Sequence, residues 1–70
     1  MELIKNKTEW LRKAELGQSM SGYFEDPKEC NSMSVLIRRW NCNEGQKRNI
    51  RLHYQMDREV GTITVHACKW

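Results

Sequence analysis

Proline occurs once in this chain and glycine four times, and no stretch reads as a linker, an internal repeat or a low-complexity segment. No apolar run is long enough to span a bilayer. Met1 to Lys5 is too short to act as a secretory signal, and the three cysteines include no close pair. These absences predict a cytoplasmic protein in a reducing compartment, with no membrane partner. There is no Gly-rich phosphate cradle, no paired-carboxylate motif and no CxxC or HxxxH knuckle. The chain is therefore expected to be no enzyme and to carry no cofactor.

What is present suits one small domain. Seventy residues, 39% of them hydrophobic and 30% charged, support a single thin core. Three Trp, two Tyr and one Phe supply its bulk, which argues against disorder. The formal charge of +3 is mildly basic and does not by itself demand a polyanionic partner.

The chain is organised around Asp26 to Gly45. Asp26 is a favoured N-cap, Pro27 fits the first helical position, and Glu29 falls at the capping-box spacing. Ser32 is an alternative cap, but no acid follows it three residues on. Cys30, Met33, Leu36, Ile37 and Trp40 form an apolar stripe at helical spacing. Gly45 is the expected left-handed stop. The opposite side carries Ser34, Arg38 and Asn41, with Arg39 beside them.

Upstream, Met1 to Lys5 reads as an extended lead-in. Asn6 and Glu9 open a first helix of about ten residues, striped by Trp10, Leu11 and Ala14 and closed at Leu16-Gly17. Ser19 then caps a second, shorter helical piece, on the i, i+3, i+4 spacing of Met20, Tyr23 and Phe24, although Gly22 is a poor helix former. Downstream of Gly45 the period changes to two. Ile50, Leu52, Tyr54 and Met56 alternate with Arg51, His53 and Gln55, and Ile63, Val65 and Ala67 alternate with Thr62, Thr64, His66 and Cys68. A four-residue loop, Asp57 to Val60, would pair Met56 with Gly61, Tyr54 with Ile63, Leu52 with Val65 and Ile50 with Ala67. Arg51 would then oppose His66, and His53 would oppose Thr64.

The expected fold class is α+β: two short N-terminal helical segments, one longer amphipathic helix, then an antiparallel β-hairpin packed on it. That is also the element order of a winged helix-turn-helix, although a generic small α+β domain yields the same string. Trp10, Tyr23, Phe24, Trp40 and Tyr54 are expected in the core. Trp70 either caps that core or marks a partner surface.

Three constellations could carry chemistry. Arg38, Arg39, Lys47, Arg48 and Arg51 put five of the twelve Lys and Arg residues into one segment with a single acid, Glu44. Its local net charge of +4 exceeds that of the whole chain. Guanidinium groups match phosphate bidentately, with Ser34, Asn41 and His53 as hydrogen-bonding neighbours. The plainer alternatives are a solvated face, or one paired with Glu25, Asp26 and Glu29. Cys30, Cys42, His53, His66 and Cys68 include soft metal ligands, but isolated cysteines are more often small core residues. Cys68 beside His66 lacks a third orienting group for nucleophilic catalysis.

Two functional classes follow. The first is a small nucleic-acid-binding regulatory protein, with Arg38, Arg39, Arg48 and Arg51 on phosphates and Ser34 or Asn41 near bases. The second is a compact protein-binding module, an inhibitor or adaptor acting on an acidic protein surface. Both hairpin edges are expected to be open, which also allows a homodimer through a hairpin edge.

Overall fold

The computed structural model describes all 70 residues as an α+β arrangement of helices on one face of a four-stranded mixed sheet. The lead-in forms a short strand, β1 (Glu2–Leu3). Asn6 then caps α1 (Lys7–Arg12), its side-chain oxygen accepting the Glu9 N–H at 3.2 Å. This helix is shorter than the spacing of its stripe suggested, but Trp10, Leu11 and Ala14 are all buried.

The second N-terminal segment is not helical. Ser19–Tyr23 is a strand, β2, parallel to β1. Met20, Gly22 and Phe24 turn inward, whereas Ser19, Ser21 and Tyr23 are exposed. Period two therefore competes with the i, i+3, i+4 spacing in this segment and wins. Gly22 helps to decide it: a Cβ there would lie 2.6 Å from Ile4 Cδ1, in space that Ile4 fills as a core residue. Tyr23 is consequently 40% exposed and is no core residue. The helix that would pair with the long one in a winged helix-turn-helix is thus absent, and that element order does not apply.

The long helix begins two residues later than the expected caps place it: its N-cap position is Lys28, with no side-chain cap bond, and Asp26 and Pro27 lie in the turn before it. One carboxylate oxygen of Asp26 accepts the Lys28 N–H at 3.0 Å, and the chain enters through a tight turn in which Glu29 N–H reaches Asp26 C=O. Glu29 does not fold back as a capping box, since its carboxylate pairs with Lys7 at 3.5 Å. Helix α2 (Glu29–Trp40) buries Cys30, Met33, Ile37 and Trp40. Gly45 is not its stop. The helix runs on through a π-helical turn, Asn41–Gly45, into α3 (Gln46–Arg48), and Asn49 ends it in the left-handed region at φ 59°. Gly45 itself is right-handed at φ −61°, and a Cβ there would meet the Ile50 carbonyl oxygen at 2.6 Å. The glycine is needed for close approach of helix and strand, not for a turn.

Strands β3 (Ile50–Asp57) and β4 (Thr62–Lys69) form the antiparallel hairpin. Its register differs from expectation by two residues: Ile50 opposes Lys69, Leu52 Ala67, Tyr54 Val65 and Met56 Ile63. A shift of two keeps every side chain on its face, so hydrophobic alternation cannot distinguish the two pairings. The loop decides it. Asp57 caps the turn, its carboxylate accepting from Glu59 N–H and Val60 N–H, and its C=O accepts Gly61 N–H at 2.8 Å.

The sheet order is β1-β2-β4-β3, so β4 is central and pairs with both β2 and β3. Only β4 runs against the other three. Its inward residues Ile63, Val65 and Ala67 join Leu52, the α2 stripe, Trp10, Leu11, Ala14, Ile4 and Phe24 in one buried cluster. Trp40, at 6% exposure, closes the end of the core near α3.

Candidate nucleic-acid interface

The continuous helical rod from Glu29 to Arg48 would measure about 30 Å at 1.5 Å per residue, close to the molecule's long dimension of 31 Å. Arg38 and Arg39 stand exposed in the last turn of α2, and Lys47 and Arg48 stand exposed in α3. At helical rise the two pairs are roughly 14 Å apart along the rod. Beyond Asn49, Arg51 and His53 alternate with buried Leu52, so they lie on the open face of the sheet, away from the helices. The structure thus divides the basic segment between the outer side of the rod and the far side of the sheet, joined by the corner at Asn49.

That corner gains two residues that sequence spacing did not attach to it. Lys69 is paired with Ile50 at the end of β4, and Trp70 N–H donates to Asn49 C=O at 3.1 Å. Trp70 is 51% exposed, and the Arg51 guanidinium lies 5.6 Å from its ring centroid. Arg48 lies 6.0 Å from the Trp40 ring in the same way. Stacking against a ring restrains a guanidinium while leaving its N–H edges to other partners. The signal for this corner was the hairpin register, which brings position 69 beside position 50.

None of these cations has a carboxylate partner. The molecule's two ion pairs, Lys7 with Glu29 and Lys13 with Glu2, lie elsewhere. Glu44 and Arg39 line the same shallow hollow without pairing. The cations at the C-terminal end of the rod also complement the helix dipole. That accounts for a few tenths of a kcal/mol, up to about 1 kcal/mol each, and concerns only Lys47 and Arg48 in the last turn.

The two candidate base-reading side chains are engaged internally. Asn41 donates through Nδ2 to Leu52 C=O at 3.1 Å and accepts Leu52 N–H through Oδ1 at 2.8 Å. Ser34 Oγ donates to Asn31 C=O at 2.7 Å, one turn back along the helix. His53 faces solvent and stands opposite His66, not Thr64. His66 Nδ1 lies 2.7 Å from Ser19 Oγ, a contact concealed from sequence reading by the helical assignment of Ser19. This exposed Ser–His pair has no carboxylate hydrogen-bonded to it and is an ordinary surface hydrogen bond in form.

No three His, Cys, Asp or Glu side chains converge on a point that could hold a metal ion. Cys30 is buried in the core, Cys42 exposed and Cys68 half-buried. Burial pushes the Cys30 thiol pKa above its ordinary value, with opposing influences from Arg58, which lowers it, and Asp57, which raises it. No helix is long and apolar enough to cross a membrane. Comparison with known protein families, curated proteins and solved structures finds no match to this chain.

Proposed function

We propose that the protein is a small nucleic-acid-binding regulatory protein that holds phosphates through Arg38, Arg39, Lys47, Arg48 and Arg51. The observation that carries this reading is that all five cations are exposed and none is neutralised by a carboxylate. Aromatic stacking of Arg48 and Arg51 adds to it, since a restrained guanidinium loses less freedom on meeting a phosphate. Lys69 belongs to the same set. Asn41 and Ser34 do not, because their polar groups are already satisfied within the fold. Contacts of this kind position a backbone and carry no base preference. Binding to duplex DNA, followed by fluorescence anisotropy, is expected to weaken steeply with added salt and to weaken further in Arg38→Ala/Arg39→Ala. Binding indifferent to both removes the proposal.

The second reading is a protein-binding module directed at an acidic protein surface. Half-exposed Trp70 beside Arg51 favours it, because Trp and Arg are the residue types that most often anchor protein interfaces. Recovery of one stoichiometric protein from nuclease-treated lysate, lost in Trp70→Ala, would select this reading over the first.

A further inference from the structure

Strand β3 is an edge of the sheet, and its two halves are treated differently. Leu52 turns its N–H and C=O outward, and the Asn41 carboxamide takes both, as a neighbouring strand would. Gly45 packs over the Ile50 carbonyl oxygen, so the rod covers the strand's beginning. Hydrogen-bonding directions alternate along a strand, so Tyr54 and Met56 turn their backbone groups the same way as Leu52. Neither residue makes a hydrogen bond in that direction. The side chains of Tyr54 and Met56 are only partly buried against the core. The protein therefore covers one half of this edge and leaves a short, defined half open.

We propose that this open half of β3 pairs antiparallel with the same segment of a second copy of the chain, about a two-fold axis at Gln55. In that register Tyr54 of one copy opposes Met56 of the other, twice. The four backbone hydrogen bonds so formed use the groups that Asn41 does not reach. Charge selects a second copy in this orientation. The strand starts with Arg51 and His53 and ends at Asp57, with Glu59 just beyond. Antiparallel self-pairing sets His53 against Asp57 of the second copy at both ends of the contact, whereas a parallel arrangement would stack like on like. One Asp57 oxygen caps the loop, and the other is free to meet an imidazole. Asn41 stops the pairing from running further, so the contact is short and closed, as a two-fold dimer requires. The two sheets become one of eight strands, and the corner at Lys47, Arg48 and Lys69 stays uncovered in both copies.

Sedimentation velocity from micromolar to millimolar protein is the test. The mass is expected to rise with concentration towards twice the 8.4 kDa of one chain. Gln55→Lys, an exposed change that sets two ammonium groups on the axis, is expected to shift dimer formation to at least several-fold higher concentration. Met56→Pro removes the outward N–H together with part of a half-buried side chain and is expected to do the same, with circular dichroism verifying that both variants are folded. Gln55→Cys in a Cys42→Ser/Cys68→Ser background is expected to form a disulfide-linked dimer on mild oxidation, because cross-strand neighbours of this type lie about 4.5 Å apart at Cα. A single-chain mass at millimolar concentration would overturn the proposal. So would a dimer that Gln55→Lys and Met56→Pro leave unchanged, since it must use another surface.

Discussion

Asn41 ties the long helix to the edge strand β3. Its carboxamide satisfies two backbone groups of Leu52 that would otherwise be left at a half-buried edge. Asn41→Ala is expected to lower stability by about 1–3 kcal/mol, measured by urea denaturation, while leaving salt-dependent DNA binding of the folded protein unchanged. A loss of binding without a loss of stability would return Asn41 to the interface. Gly45 makes an opposite point about helices. Alanine is the better helix former by about 1 kcal/mol, yet its Cβ would sit 2.6 Å from a backbone oxygen of Ile50. Gly45→Ala is therefore expected to destabilise the protein in thermal unfolding, against its intrinsic propensity.

Cys30 supplies a pH dependence of known sign. Its thiol pKa is raised in the fold, chiefly by desolvation, from an ordinary value of 9.0. Above that value the unfolded chain releases a proton that the native chain retains, so stability is full below it and falls as pH rises through it. The slope from one such group is at most about 1.4 kcal/mol per pH unit. Cys30→Val is expected to flatten the alkaline limb of a denaturation series by that component.

At the scale of elements, the legible features were those with one physical interpretation. The α2 stripe, the Asn6 cap and the alternation of β3 and β4 each admitted a single period, and each is present as an element. Ser19 to Phe24 admitted two periods, and only the cavity for Ile4 at Gly22 separates them. Gly45 resembled a stop because glycine serves both turns and close approaches, and sequence does not say which. Hairpin register was fixed in parity by hydrophobicity and in phase by the Asp57 loop, a local hydrogen-bond pattern that alternation does not encode. Parity along β3 also makes a prediction for amide exchange. His53 and Gln55 amides, which face β4, should be protected at every protein concentration. Tyr54 and Met56 amides should exchange rapidly in dilute protein and slowly in concentrated protein, as read by NMR. Rapid exchange at both concentrations would leave the edge unpaired.

On the scale of the whole molecule, the five candidate cations were legible as a cluster in sequence but not as a surface. Folding spreads them from the outer side of the rod, round the corner at Asn49, to the open face of the sheet. It also adds Lys69 and Trp70, which no linear segment could have included. What unites the set is the want of any acidic partner in a chain that carries nine Asp and Glu residues. The most direct measurement is the salt dependence of duplex binding for the wild-type chain and for Arg48→Ala/Arg51→Ala, followed by anisotropy. Log K is expected to fall linearly with log salt, and the slope of the double variant to be shallower by about 1.8, the contribution of two phosphate contacts. An affinity that ignores salt, or a slope that the two substitutions leave untouched, would contradict it.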